Sequence, residues 1–165
     1  MRLAPTHPWQ DDEQQVTPAA VGGLLAHLES IYGFALTLTG DAEVAAEITE
    51  HVFASVRGDL WVTLGGHGLR DRLLARCVLA FTERLARGSR RGSAANPRSE
   101  PRATWLGALL LELPWNERAA IALVDQLGVS YASGAAVLGV DASEFRSLVH
   151  RGRSVLFAAY RSGVR

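Results

Sequence analysis

The chain of 165 residues contains no lysine, only one cysteine, and no apolar run approaching the roughly 18 residues that a membrane-spanning helix needs. A lone cysteine, Cys77, cannot form an internal disulfide, and its position on an apolar helical face predicts core packing in a reducing cytosol. The first residues also lack the apolar segment of a signal peptide. These absences predict a soluble, cytoplasmic protein.

The common catalytic and metal-binding spacings are missing as well. The histidines form no HExxH pair, and one cysteine cannot complete a zinc site. The segment GGHG at 65–68 lacks the lysine and hydroxyl residue of a phosphate loop and is predicted to be a turn. The sequence therefore predicts a protein that is not an enzyme and uses no cofactor or metal.

Positive and negative charges balance, with 17 arginines against 17 acidic residues, so no overall basic field indicates nucleic-acid binding. Their distribution is uneven. Residues 1–56 contain one arginine and eight acids, residues 57–104 contain ten arginines and four acids, and residues 105–165 contain six and five. The sequence thus joins an acidic segment, a basic segment and a nearly neutral one.

Apolar residues recur at helical spacing through most of the chain, and no sustained alternation indicates a strand. The predicted fold is all-α, with two small helical domains joined by a flexible linker rich in Gly, Ser, Pro and Arg. The predicted divisions are a flexible leader at 1–20, a first helical domain at 21–87, the linker at 88–104, and a second helical domain at 105–165.

Three helices are predicted in the first domain, at 21–39, from 42 to about 56, and at 69–87, with Gly40 ending the first and Asp41 capping the second. The second helix has an acidic face, formed by Glu43, Glu47 and Glu50. The third is predicted to turn one set of side chains inward, Leu74, Cys77, Val78, Phe81 and Leu85, and to present Arg72, Arg76 and Arg87 outward. A protein partner would suit the acidic face, and phosphate contact would suit the arginines.

The second domain is predicted to begin with a short helix at 105–111, followed by a helix that starts near Pro114 and runs to about residue 126. Residues 130–161 then have the pattern of a helix-turn-helix: a short helix, a turn at Gly139, and a long helix. The small residues Ala135 and Ala136 are expected to let the two helices pack closely. The long helix should bury one set of residues, Phe145, Leu148, Val149, Gly152, Leu156 and Ala159, and expose a stripe of Arg146, His150 and Arg153 beside Ser147 and Arg151.

Two segments together resemble a known family. IYGFALTLTGDAEVAAEITEHVF at 31–53 and LPWNERAAIALVDQLGVSYASGAAVLGVDASEFRSLVHRGR at 113–153 are similar, in order and spacing, to extracytoplasmic-function (ECF) sigma factors of bacterial RNA polymerase. The resemblance implies a sigma region 2-like three-helix bundle followed by a sigma region 4-like helix-turn-helix domain. It also implies that the protein binds core RNA polymerase and promoter DNA, and possible control by an anti-sigma factor or another protein regulator.

The resemblance assigns roles to particular residues. Polymerase binding falls on the acidic helix, at Glu43, Glu47, Glu50 and Phe53. DNA binding falls on the third helix, at Arg72, Arg76 and Arg87, and on the recognition helix, at Arg146, Ser147, His150, Arg151 and Arg153.

Some residues depart from the family pattern. Leu79 stands where the family usually has an asparagine, Glu144 and Leu148 replace residues that suit DNA contact, and the second helix alters the usual polymerase-docking sequence. Asp141 and Glu144 have the spacing of a capping box, which gives Glu144 a structural role. Two alternatives therefore stay open: a degenerate, sigma-like interaction module that acts on transcription through a protein partner without reading DNA, and a helix-turn-helix repressor.

Overall fold

The structure, a computed structural model, describes residues 18–55, 65–90 and 105–163, and all the regular structure in these ranges is helical. The first half contains α1 (Pro18–Thr39), α2 (Ala42–Ala54) and α3 (Gly65–Arg90). The second half contains α4 (Trp105–Glu112), α5 (Trp115–Ile121), a π-helical turn (Ala122–Gln126), α6 (Tyr131–Leu138) and α7 (Ala142–Gly163). The predicted all-α fold is confirmed. The predicted leader, except for its last residues, and most of the linker lie outside the described residues.

The predicted end of the first helix and the predicted start of the second are confirmed at the α1–α2 junction. α1 ends before Gly40, and the Asp41 side chain accepts hydrogen bonds from the backbone N–H groups of Glu43 and Val44 at 2.9 and 3.1 Å. A carboxylate at this position satisfies amide groups that have no partner within the helix. The turn thus positions α2 directly against α1.

α3 is longer than predicted at both ends. The segment at 65–68 forms its first turn, so the prediction of a turn there is wrong, and residues 88–90, assigned to the linker, belong to its last turn. Glycine disfavours a helix through its backbone entropy, but Leu69 and Leu73 are buried immediately after the glycines. Helical stability in proteins comes mainly from packing of an apolar face, and that packing overrides the local propensity here.

The core of the first half contains most of the predicted inward residues. Ile31, Phe34 and Leu38 of α1 pack with Ile48 and Val52 of α2 and with a row on α3 formed by Leu73, Leu74, Cys77, Val78 and Phe81. Burial raises the pKa of the Cys77 thiol to about 12. Leu85 was expected to point inward, but it is 43% exposed.

The two halves pack against each other. α3 lies against α6, and α1 contacts α4, α5 and the π-helical turn. The Phe81 and Trp115 rings, one from each half, have centroids 6.0 Å apart at 59°. One continuous buried cluster includes Phe34 and Cys77 together with Leu123 and Phe145. The described helices therefore share a core across the boundary between the halves.

Side-chain hydrogen bonds among the described residues cross this boundary. Arg70 Nη2 donates to Leu127 O at 2.6 Å, Arg118 Nη2 donates to Leu38 O at 2.8 Å, and Thr37 Oγ1 bonds Gln126 Oε1 at 3.0 Å. Arg118 is only 8% exposed, and it also donates to Leu111 O at 3.0 Å. Each arginine reaches the end of a helix in the opposite half, where carbonyl groups lack helical partners and the helix dipole is negative.

Candidate nucleic-acid interface

The helix-turn-helix consists of α6, the turn at Gly139 and α7. The Ser130 side chain caps α6 by accepting a hydrogen bond from Ser133 N at 3.1 Å. Gly139 has φ +67° and ends α6, as the sequence predicted. A left-handed residue closes a helix with little strain only when it is glycine. The turn therefore sends the chain directly into α7.

α7 begins with a strong cap. Asp141 Oδ1 accepts from the backbone N–H groups of Ser143 and Glu144, both at 2.8 Å, and from the Ser143 hydroxyl at 2.7 Å. These bonds, chiefly the one from the Glu144 N–H, lower the pKa of the Asp141 carboxyl. Glu144 itself is exposed in the first turn of α7. Its carboxylate lies where the helix dipole favours negative charge.

α6 approaches α7 closely at Gly134, which the sequence did not indicate. A Cβ atom on Gly134 would lie 2.3 Å from Phe145 Cζ, so only glycine fits. Ala135 is buried as expected, but Ala136 is exposed. The Phe145 ring also meets the Tyr131 ring edge to face, with centroids 5.8 Å apart. Phe145 therefore packs against two residues of α6, Tyr131 and Gly134.

The predicted faces of α7 are confirmed over its first three turns. Phe145, Leu148, Val149 and Gly152 are buried, while Leu156 and Ala159 are half-buried because α7 extends past the body of the domain. Leu148 is 1% exposed and so belongs to the core. The opposite face is open to solvent and carries the five α7 residues assigned to DNA contact: Arg146, Ser147, His150, Arg151 and Arg153.

These five side chains differ in their contacts. Arg146 and His150 make no ion pair with any described residue, and they line a shallow groove of about 390 Å³ together with Tyr131, Val149 and Arg153. The Ser147 hydroxyl donates back to Ser143 O at 3.0 Å. Arg146 and His150 are therefore the side chains on this face with charge or ring nitrogens available to a ligand.

Arg151 and Arg153 are each paired with a carboxylate of the second half. Arg151 Nε lies 2.9 Å from Glu117 Oε1. Arg153 Nε donates to Asp125 Oδ2 at 3.1 Å, and its Nη2 contacts Asp125 Oδ1. Hydrogen bonding to Asp125 raises the pKa of the Arg153 guanidinium further. Sequence reasoning did not identify Glu117 or Asp125, which lie 34 and 28 residues before their partners.

The arginine face of α3 is exposed as predicted. Arg72, Arg76 and Arg87 lie on the surface, and Leu79 on the same face is 58% exposed. Arg76 Nη1 bonds Ser55 Oγ at 2.8 Å, and Arg87 Nη2 lies 3.7 Å from Glu83 Oε2. Arg72 has no side-chain partner among the described residues. No hydrogen bond or ion pair among the described residues joins this face to the α7 stripe.

The acidic face of α2 is also exposed. Glu43, Glu47 and Glu50 point to solvent, and Phe53 is half-buried against the core of the first half. Glu47 Oε2 accepts from Arg84 Nη1 of α3 at 2.6 Å, and Arg84 was not singled out from the sequence. Glu43 and Glu50 make no ion pair among the residues the structure describes.

Comparison with known proteins supports this architecture. Residues 103–156 match the family model described as Sigma-70, region 4. A solved structure, the sigma factor RpoE from Bartonella quintana in complex with the anti-sigma factor NepR, is similar to this chain with a TM-score of 0.76 and 20% sequence identity. The similarity covers 88% of this chain and 98% of that chain.

The second half is thus similar to sigma-70 region 4 over residues 103–156, and the chain as a whole has the fold of that sigma factor structure. The resemblance to ECF sigma factors predicted from the sequence is confirmed. Within the described ranges, no helix is long and apolar enough to cross a membrane.

Proposed function

We propose that this protein is a sigma-type transcription initiation factor that binds core RNA polymerase and promoter DNA and acts in the cytoplasm. The observation that carries the proposal is the region 4 helix-turn-helix, whose long helix buries Phe145 and Leu148 and exposes Arg146 and His150 on the opposite face. The second helix of such a motif enters the major groove with its N-terminal residues at the base edges. A transcription factor, and not an enzyme, is the class that fits.

In this proposal the chain has two functional units, residues 21–87 and 105–165, joined by residues 88–104. The second unit reads the upstream promoter element through Arg146, Ser147, His150, Arg151 and Arg153. The exposed arginines of α3, Arg72, Arg76 and Arg87, contact phosphates near the melted strand, since a guanidinium can pair two phosphate oxygens at once. Both contacts are electrostatic and should weaken as salt rises.

Core RNA polymerase is assigned to the acidic face of α2. Glu43 and Glu50 are exposed and unpaired among the described residues, and Glu47 is held by Arg84 at the edge of the same face. Complementary charge speeds association and fixes register between proteins. Phe53, half-buried at the end of α2, supplies an apolar contact beside the carboxylates. The crystallised sigma factor of the same fold has an anti-sigma partner, which supports a protein regulator for this chain as well.

One observation favours the second candidate, a sigma-like module that acts through a protein partner without reading DNA. Leu79 is 58% exposed in the centre of the α3 arginine face, and it can neither donate nor accept a hydrogen bond. Glu144 adds a carboxylate to the first turn of the recognition helix, where it repels phosphate. An interaction module would tolerate both residues.

Reconstituted transcription with core RNA polymerase from the source organism decides between the two. Promoter-dependent run-off transcripts are the expected result. The matched variant is Arg146→Ala with His150→Ala, which changes only exposed side chains of α7 and should abolish promoter-dependent product while the circular dichroism spectrum stays the same. Stable core binding with no transcript from any genomic promoter library would instead establish the interaction module.

A further inference from the structure

The two ion pairs of the recognition helix, Arg151–Glu117 and Arg153–Asp125, are built in the same way. Glu117 belongs to α5 and Asp125 to the π-helical turn, so both carboxylates come from the segment that precedes the helix-turn-helix. Each contacts an arginine of α7 at a guanidinium nitrogen, and in both pairs the arginine side chain is about half exposed, at 55% and 49%. Both arginines therefore carry a counter-ion of the protein's own while remaining accessible from solvent.

The basic residues of α7 lie at different distances from its N-terminal end. With a rise of about 1.5 Å per residue, Arg146, His150, Arg151 and Arg153 lie about 8, 14, 15 and 18 Å along the helix from Asp141. The major groove is about 12 Å wide, and the N-terminal part of a recognition helix meets the bases. Arg153, the furthest from the N-terminal end, is thus suited to a phosphate, whereas Arg151 is distinguished from its neighbour His150 by its ion pair with Glu117.

We propose that Glu117 and Asp125 are specificity-determining residues that compete with DNA phosphates for Arg151 and Arg153. By neutralising the two arginines they suppress sequence-independent binding and leave recognition to Arg146 and His150. This inference rests on the proposed function. The Asp125–Arg153 pair is exposed on both sides and is therefore weak, so a phosphate can replace the carboxylate once base contacts hold α7 in the groove. Non-specific affinity, in contrast, depends almost wholly on the number of phosphates that free cations neutralise.

The charge of the whole domain agrees with this role. Residues 105–165 contain six arginines and five acids, so the DNA-binding half has almost no net positive charge. A domain of this composition attracts duplex DNA weakly at long range. The specificity of the domain then comes from base contacts that form only on the cognate DNA sequence.

The test is fluorescence anisotropy of the full chain on a mixed-sequence DNA duplex across a salt series. Asp125→Asn keeps the shape of the side chain but releases Arg153, so affinity at low salt should rise severalfold and the slope of log K against log salt should steepen by about one unit. Glu117→Gln should do the same through Arg151. Asp125 is 42% exposed, whereas the Glu117 side chain is only 12% exposed, so Asp125→Asn carries the test even if Glu117→Gln destabilises the domain.

Two controls separate arginine release from net charge. Glu29→Gln on α1 makes the same change in net charge at an exposed residue that pairs with neither Arg151 nor Arg153, and it should leave the slope unchanged. The double variant Asp125→Asn with Arg153→Met should return the slope to that of Arg153→Met alone. An unchanged slope in Asp125→Asn, an equal increase in Glu29→Gln, or a loss of affinity in Asp125→Asn would overturn the inference. Absence of duplex binding by both wild type and Asp125→Asn would also overturn it, whereas the transcription assay tests the proposed function independently.

Discussion

The boundary between the halves and the outer face of α7 both depend on arginine, but they use it differently. At the boundary, Arg118 is 8% exposed and donates to backbone carbonyls at the ends of α1 and α4. On α7, Arg151 and Arg153 are about half exposed and pair with carboxylates. A buried carbonyl that loses its donor lowers the free energy of unfolding considerably, whereas an exposed ion pair can be broken with little loss of stability. The boundary should therefore govern stability, and the α7 face should govern binding.

The largest effect should come from Arg118→Met. This change leaves the buried carbonyl of Leu38 and the part-buried carbonyl of Leu111 without their donor. Since an unsatisfied buried acceptor costs about 1–3 kcal/mol and the second bond is lost as well, the free energy of unfolding should fall by about 3 kcal/mol. Urea unfolding followed by circular dichroism measures it. A decrease smaller than about 1 kcal/mol would contradict the expectation that the boundary, and not the α7 face, governs stability.

Arg70→Met should have a smaller effect, about 2 kcal/mol, because Arg70 makes one hydrogen bond across the boundary and is only half-buried. This variant tests the boundary alone, because the bond from Arg70 to Leu127 O joins the two halves and makes no contact within either half. Urea unfolding followed by circular dichroism measures the loss, and fluorescence energy transfer between one dye in each half should show whether the halves separate at a lower urea concentration than in wild type. Arg161→Met, on the exposed end of α7, is the matched control and should change neither quantity.

A pH dependence should also arise near the boundary. Burial of His27, and to a lesser extent the positive charge of Arg70, lowers the pKa of its imidazole in the folded protein. The unfolded chain therefore binds a proton at a higher pH, and stability should fall as pH drops below about 6.5 and stop falling below the lowered folded value. Urea midpoints between pH 5 and pH 7.5 should show this in wild type. The dependence should be reduced in His27→Gln, and an equal slope in the two proteins would contradict the assignment.

The smallest effect on stability should come from Arg153→Ala. Its pair with Asp125 is exposed on both sides, so the thermal midpoint should change by less than the equivalent of about 0.5 kcal/mol. Differential scanning calorimetry of Arg153→Ala and Arg118→Met under the same conditions compares their thermal midpoints directly. A loss for Arg153→Ala that matched the loss for Arg118→Met would assign the ion pair a structural role.

Local signals in the sequence predicted much of the fold. The caps at Asp41 and Asp141, the helix start after Pro114 and the left-handed end at Gly139 all depend on residues within one helical turn of the feature. The apolar spacing of α7 predicted its buried face for the same reason. Such features can be recognised because the partner atoms lie nearby in the sequence.

Other features could not be predicted from local pattern. The glycines at 65–68 indicated a turn, and only the burial of Leu69 and Leu73 explains the helix that forms there. Asp125 and Glu117 gave no signal, since their partners are far along the chain. The helix-turn-helix stripe was predicted as a single basic surface, and the ion pairs divide it into two open side chains and two neutralised ones.

The acceptors of Arg70 and Arg118 are main-chain atoms, Leu127 O and Leu38 O, and this has an evolutionary consequence. A carbonyl is present whatever side chain the residue bears, so the contact constrains residues 70 and 118 but leaves positions 38 and 127 free to change as far as this bond is concerned. Related chains should keep arginine at the first two positions without correlated changes at the other two. Covariation between aligned sequences would then give no sign that these positions touch.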